Sequence, residues 1–382
     1  MRLVFVSNFF NHHQRFLSDA FYRLTDGSYC FIAYGTMDEE RVRLGWNNAD
    51  APDYVRSYSA DPNAADSLIL DADTVIFGSV PNQLLRARIK AGKQTFRYSE
   101  RLFKKGSGSF RWLYHLFQFR RDNPTRQPLY LLCASAYAAK DYASFGLFRN
   151  KAYCWGYFPE TRRYENMETL FEAKDPKKIL WCGRFIDWKH PDDVVRLAER
   201  LKHAGLSFHL DMIGTGYMEE SIQSMIANRG LQDCVSMLGA MAPSEVRRHM
   251  EEAGIYVYTS DFQEGWGAVL NESMNSGCAV VASHAIGSVP YLLQNGENGL
   301  IYKSGDLDGM EALVSQLLKH PEMQRPLGEK ACQTISLTWN AETAAERFLK
   351  LASDLAASGI STRYASGPCC PAVKLENTWF HS

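Results

Sequence analysis

The sequence predicts an α/β protein made of two doubly wound, Rossmann-like domains, each a parallel sheet flanked by helices. Three observations predict it. Short apolar, β-branched runs alternate with helical patterns, which is how strand-helix-strand units read. The alternation pauses in a charged, aperiodic stretch near the middle and then restarts on a fresh strand. The length, 382 residues, is too great for one core and fits two domains of about 150 to 200 residues.

Taken in order, the first-half strands are expected in "RLVFVSN", "SYCFIAYG", "DTVIFGS", "KQTFRYS" and "PLYLLCAS". Helices are expected in "HHQRFLSDAFYRLT" and "SVPNQLLRARIKAG". The stretch "YFPETRRYENMETLFEAKDPKK" lacks an apolar period, so the domain boundary is expected near Lys177. That assigns 1–176 to the first domain and 177–358 to the second, with 359–382 as an extended or loosely packed tail. The second half restarts at "KKILWCGRF" and continues through "FHLDMIG", "CVSMLGA", "IYVYTS" and "CAVVAS".

Composition narrows the function classes. With 46% hydrophobic and 22% charged residues the chain is globular, and 42 Lys and Arg against 43 Asp and Glu leave a formal net charge of -1. That gives nucleic acid no overall electrostatic footprint. The nine cysteines are scattered, mostly inside apolar runs, without zinc spacing, so they read as buried free thiols in a reducing compartment, with no metal expected. The opening "MRLVFVSNFF" is too short an apolar run for a signal peptide or a membrane span, so a cytoplasmic location is expected.

Three stretches of the second half carry chemistry. In "LWCGRFIDWKHPDD", Gly183 and Arg184 follow a strand and Lys189 precedes a helix expected to begin near Pro191. Two cations at the C-terminal edge of a parallel sheet suit a diphosphate, and an ordinary basic surface loop is the bland alternative. In "LDMIGTGYMEES", Gly214 and Gly216 end a strand, but Glu219 stands where a dinucleotide fingerprint has its third glycine. A sharp turn is therefore preferred there to a direct phosphate contact. In "YVYTSDFQEGWGAVLNESMNSG", a strand, a loop and a helix place Glu264 in the loop and Glu272 on the helix. Gly265, Trp266 and Gly267 leave the amides of Gly267, Ala268 and Val269 free to meet an anion at a helix N-terminus. The two carboxylates then reach different hydroxyl-rich parts of one ligand.

These residues, together with "LGAMAPSEVRRHMEEAGIYVYTS", "CAVVASHAIGSVPYLLQNGENGLIYKSGD" and "WNAETAAERFLKLASDL", resemble the retaining, nucleotide-sugar-dependent glycosyltransferases of family 4. The resemblance covers almost the whole second domain. It implies the GT-B fold, two Rossmann-like domains facing a central cleft, with a last helix that packs back on the first domain. It implies that Arg184 and Lys189 neutralise the donor diphosphate, that Glu272 grips the ribose and that Glu264 faces the transferred sugar. It further implies that backbone atoms of Gly239 and Met241 contact the base. The donor would be a UDP- or GDP-sugar, with no metal and no other cofactor. Two departures, Trp266 for the usual Phe and His190 after Lys189, bear on which sugar fits.

The first domain resembles the family less closely and is similar to a bacterial subset that builds surface polysaccharides. In "SNFFNHHQRF", Asn11, His12 and His13 mark the passage from the first strand to the first helix, and His13 is the candidate to contact acceptor or phosphate. Glu100 and Arg101 end the fourth strand candidate, near where an acceptor would sit. The acceptor would be a saccharide or a lipid-linked sugar. The stretch from Arg101 to Arg121 mixes Lys104, Lys105, Arg120 and Arg121 with Phe110, Trp112 and Tyr114. It reads either as a buried helix with a solvated end or as a peripheral contact with an anionic membrane face. The alternatives to a transferase are a non-catalytic subunit of the same fold and a sugar-nucleotide epimerase.

Overall fold

A computed structural model describes residues 1–36, 51–104 and 112–381, the side chains of 112–116 excepted. The chain divides into two compact units, Met1–Glu160 with Trp339–Glu376, and Thr161–Thr338 with Asn377–Ser382.

The first unit is built on β1 (Leu3–Ser7), β2 (Tyr29–Ala33), β3 (Val55–Ser57), β4 (Thr74–Phe77), β5 (Thr95–Ser99), β6 (Leu129–Cys133) and β7 (Ala152–Cys154). They form one sheet in the order β3-β2-β1-β4-β5-β6-β7. The central strand β1 pairs parallel with both β2 and β4, Leu3 lying opposite Tyr29 on one side and Thr74 on the other. Every residue of β1, β4 and β6 is buried. A strand covered on both faces needs apolar residues in both pleats, so it reads as a continuous apolar run rather than an alternation. The helices α1 (His12–Leu24), α2 (Pro62–Asp71), α3 (Gln83–Lys90), α4 (Trp112–Asp122) and α5 (Ala138–Ser144) connect these strands.

The second unit repeats the plan with β8 (Asp175–Cys182), β9 (His209–Ile213), β10 (Val235–Gly239), β11 (Ala253–Tyr258), β12 (Ala279–Ser283) and β13 (Leu300–Tyr302). Their order is β10-β9-β8-β11-β12-β13. The sheet order reverses between β8 and β11, and in such sheets ligands bind outside the carboxyl ends of the strands at that point. The helices are α6 (Met167–Glu172), α7 (Pro191–His203), α8 (Glu219–Asn228), α9 (Pro243–Glu252), α10 (Ala268–Asn275), α11 (Val289–Leu292), α12 (Leu307–Lys319) and α13 (Gln324–Leu337). α7 shows why these form. Pro191 opens it, Asp192 and Asp193 occupy its first turn, and Arg200, Lys202 and His203 its last, so both ends complement the helix dipole. Val194, Val195, Leu197, Ala198 and Leu201 form its buried stripe.

The units divide at Glu160–Thr161 and at Thr338–Trp339, where the sequence placed the first boundary near Lys177 and its family resemblance put the last helix back on the first domain. The charged stretch before Lys177 is not a free linker, because the second unit consumes its polar groups. Arg162 N donates to Asn275 Oδ1 at 2.8 Å, Tyr164 Oη donates to Glu251 Oε1 at 2.7 Å, and Lys174 Nζ donates to the carbonyls of Met250, Glu251 and Ala253. At the other end, α14 (Ala341–Ser358) is counted with the first unit. Its Phe348 ring lies 5.4 Å from Phe21, 4.8 Å from Phe96 and 5.7 Å from Trp155, centroid to centroid.

The expected loose tail is ordered by edge pairing, which corrects the reading from composition. Cys154 N donates to Cys370 O at 2.8 Å, Cys369 N to Cys154 O at 2.8 Å, and Ala372 N to Ala152 O at 2.9 Å. These bonds lay the segment along β7, whose edge would otherwise expose its amides, and they bury Cys369 and Cys370. Farther on, Asn377 O lies 3.2 Å from His284 Nε2, and Trp379 and Phe380 stack toward the same ring. All nine cysteines are free thiols.

Of the basic, aromatic stretch, Lys105, Phe110 and the side chains of Trp112 and Tyr114 lie outside the described residues. Arg120 Nε donates to Phe145 O at 3.2 Å, and Phe117 is 77% exposed. Among the described residues no helix is long and apolar enough to cross a membrane.

Candidate functional site

The candidate residues fall into two groups, one in each unit. In the second unit, β8 ends at Cys182, Gly183 and Arg184 follow, and a 3-10 turn over Asp187–Lys189 leads into α7. His190, with φ of 50°, makes the left-handed step that joins turn to helix. The turn is stitched to the loop after β11. Thr259 Oγ1 accepts from Trp181 Nε1 at 3.0 Å and donates to Lys189 O at 2.5 Å, while Asp261 N donates to Trp188 O at 3.0 Å. His190 Nε2 lies 3.4 Å from Asp261 Oδ2. That hydrogen bond holds the His190 pKa above its ordinary value. Burial raises the Asp261 carboxyl, but His190 and the Gln263 amides outweigh it and leave it below the usual range.

This stitching brings the Lys189 ammonium onto the Glu264 carboxylate as an ion pair. The side chains are only 13% and 14% exposed, so the pair forms in a water-poor place where charge interactions are strong. Ser260 Oγ donates to Glu264 Oε2 at 3.2 Å. Burial alone pushes the Glu264 carboxyl up, yet the Lys189 charge and these hydrogen bonds carry it below its ordinary value, so it is ionised at neutral pH. The Lys189 ammonium also lies 5.5 Å from the Tyr258 ring centroid. Arg184 is exposed, its guanidinium 5.6 Å from the Trp188 ring centroid.

Beyond Glu264, Gly265 and Trp266 are buried. Trp266 is 0% exposed, its Nε1 donates to Asn271 Oδ1 at 2.9 Å and its carbonyl accepts from Ser288 Oγ at 2.6 Å. Its ring is therefore part of the core, and any bearing on which sugar fits would pass through the backbone it anchors. Gly267 has φ of 87°, and a Cβ there would come within 2.1 Å of Tyr258 Oη. Only glycine fits, and it turns the chain into α10, where Ala268 and Val269 open the helix and Glu272 stands in its second turn, half-buried. Burial, with the Glu272 charge adding to it, pushes the Cys182 thiol up to about 12.

Gly183, Gly214 and Gly239 sit at three neighbouring strand ends. Gly183 N donates to Ile213 O at 3.0 Å and Gly214 N to Gly239 O at 2.8 Å. A Cβ on Gly214 would lie 1.9 Å from Gly183 O, so this glycine is required by close backbone packing, in line with the sharp-turn reading. Met241 is half-buried between β10 and α9.

In the first unit, Asn11 caps α1. Its Oδ1 accepts from His13 N at 2.9 Å while Gln14 Oε1 accepts from Asn11 N, a capping box. A cavity of about 550 Å³ is lined by Asn11, His13, Glu100 and Arg101 among others. His12 is not among the lining residues. Burial lowers its pKa to about 4, so it is neutral at physiological pH. Glu100 accepts from Tyr157 Oη at 2.5 Å and pairs with Lys104. Arg101 Nη2 lies 3.6 Å from Asp141 Oδ1, with the guanidinium over the Tyr137 ring.

Thr259, Ser260 and Asp261 were not singled out in the sequence, although "TSD" stands directly before the glutamate loop. Their role is to hold Lys189, His190 and Glu264 across about seventy residues of chain, and such long-range pairing leaves no local signal.

Residues 163–334 match the family model for glycosyl transferases group 1. The chain is 28% identical over 157 residues to the amylovoran biosynthesis glycosyltransferase AmsK of Erwinia amylovora, spanning 40% of this chain and 38% of that protein. It is 24% identical over 176 residues to the N-acetyl-alpha-D-glucosaminyl L-malate synthase of Bacillus anthracis, spanning 46% and 45%. The chain thus spans less than half the length of these curated relatives. Among solved structures, Anabaena HepE in complex with UDP superimposes with a TM-score of 0.71 at 13% identity, covering 93% of this chain and 100% of that one. The lipopolysaccharide outer core galactosyltransferase WaaB, apo form, gives 0.65 at 16%, covering 93% and 99%. The chain has the GT-B fold, two Rossmann-like parallel-sheet units, and the match to the group 1 glycosyltransferase model lies within its second unit.

Proposed function

We propose that the protein is a glycosyltransferase that moves a sugar from a nucleoside diphosphate sugar to a hydroxyl acceptor with retention of configuration, in polysaccharide or glycoconjugate synthesis. The observation that carries this reading is the buried Lys189–Glu264 pair at the carboxyl edge of the second sheet, one turn from the N-terminus of α10. The solved neighbour with UDP bound makes a uridine donor the first choice.

In this mechanism the chain's own groups act electrostatically. As the bond from sugar to diphosphate breaks, negative charge grows on the leaving phosphate. Lys189 and Arg184, with the first amides of α10, meet that charge and stabilise the transition state more than the ground state. Glu264, already ionised, holds the Lys189 ammonium in place and turns its other lone pairs to hydroxyls of the transferred sugar. Glu272 accepts the ribose hydroxyls, and Gly239 and Met241 supply backbone contacts to the base. The proposed acceptor, a saccharide or lipid-linked sugar, is met by Asn11, His13, Glu100 and Arg101.

The test is to incubate purified protein with UDP- and GDP-sugars and candidate saccharide acceptors, to measure release of the nucleoside diphosphate, and to read the anomeric coupling of the product by proton NMR. Release with a retained anomer is expected. A product with inverted configuration would remove the retaining part, and no release from any donor would remove the transferase reading.

A further inference from the structure

We propose that the first unit's cavity holds an oxyanion subsite centred on Arg97, which takes a phosphoryl or carboxylate group. The class of ligand this implies, an acceptor bearing a negative charge, rests on the transferase reading; the subsite itself does not.

Arg97 follows Phe96 on β5, lines the 550 Å³ cavity and is only 9% exposed. Its fork is held by neutral groups. Nε donates to Asn123 Oδ1 at 2.6 Å and Nη1 donates to Asn82 Oδ1 at 3.0 Å. The remaining terminal nitrogen, Nη2, is buried without a hydrogen-bond partner. Among the described residues Arg97 forms no ion pair. A buried guanidinium loses its hydration, a cost that a charge or hydrogen bonds must offset, and two amide oxygens offset only part. The two Asn side chains fix the fork while leaving its charge unspent, as a guanidinium reserved for an incoming oxyanion requires.

The surroundings agree. The other cation of the cavity wall, Arg101, is already matched by Asp141 at 3.6 Å. Among the described residues, the one acid lining the cavity, Glu100, is matched by Lys104 and by Tyr157 Oη, which leaves Arg97 as the lining guanidinium without a counter-charge. The N-terminus of the thirteen-residue helix α1 reaches the same cavity through Asn11, His13 and Gln14, and its first turn carries no acidic residue. Its dipole adds to the attraction for an anion.

The test titrates inorganic phosphate, pyrophosphate and glucuronate, with chloride as control, into the whole protein with the nucleotide site saturated by UDP, and follows binding by calorimetry. At least one anion is expected to bind in wild type, with affinity lowered tenfold or more in Arg97→Met. A phosphate preference assigns the group to a phosphoryl acceptor, and a glucuronate preference to an acidic sugar. The variant Asn123→Asp places a carboxylate on the Arg97 Nε and should abolish the binding with Arg97 retained, which keeps the test decisive if Arg97→Met fails to fold. Anion binding indifferent to both substitutions, or no binding of any of the three anions to wild type, overturns the subsite. A failure of UDP to bind counts against the donor site alone, since loss of anion binding in Arg97→Met and Asn123→Asp still reads the first-unit cavity, whose lining holds neither Arg184 nor Lys189.

Discussion

Glu264 and Glu272 sit eight residues apart, and the proposed mechanism gives them different work. Glu264 is ion-paired in the loop with its side chain 14% exposed; Glu272 stands half-buried in the second turn of α10. Glu264→Gln is expected to lower sugar transfer while leaving the affinity for free UDP near wild type, and Glu272→Gln to weaken UDP by about tenfold or more, in line with loss of one charge-assisted contact. Equal losses of UDP affinity by calorimetry would show that the roles are divided wrongly. The pH dependence follows from the sign of the shift. The folded Glu264 pKa lies below its ordinary value of 4.5, so its contribution to stability is present above that value and is lost as pH falls through the folded pKa. Urea midpoints of wild type should fall on acidification below about pH 4, and Glu264→Gln should show a smaller fall. Gly267→Ala forces a side chain into a left-handed backbone and against Tyr258 Oη. A loss of about 1 to 3 kcal/mol in chemical denaturation is expected. At this scale the sequence was most informative, because a glycine-flanked glutamate motif is local in the chain. It was least informative about Trp266, whose burial depends on Asn271 and Ser288, and about Arg97, where "TFRYS" alone does not show that the arginine lacks a counter-charge.

The elements were legible where burial is simple. Strands such as β1, β4, β6 and β12, buried on both faces, show as apolar runs, and α7 shows through its proline, its charged ends and its stripe. The three-residue strands β3, β7 and β13 are too short to show a period. The segment beside β7 is composed of turn residues, yet it pairs because backbone bonds do not depend on side-chain type. α14 was legible as a helix, and its packing partners come from far along the chain. Phe348, ringed by Phe21, Phe96 and Trp155, is the anchor. Phe348→Ala is expected to cost about 3 to 5 kcal/mol, read as an earlier unfolding transition. A change below 1 kcal/mol would mean that α14 does not anchor on this cluster.

At the scale of the whole molecule, two sheets of one topology and the motif order of the second half identify the GT-B fold. The identity of donor and acceptor was not legible, because it depends on side chains that converge from separate loops. The account stands or falls on Lys189, the cation placed against Glu264 and proposed to meet leaving-group charge. The direct measurement is the initial rate of nucleoside diphosphate release by wild type and by Lys189→Ala, at saturating donor and with the melting temperatures compared. The expected result is a rate lower by about a hundredfold or more, the size of effect known for loss of one preorganised charge-stabilising group, in a variant that still folds. Equal rates from the two folded proteins would contradict the assignment of this site.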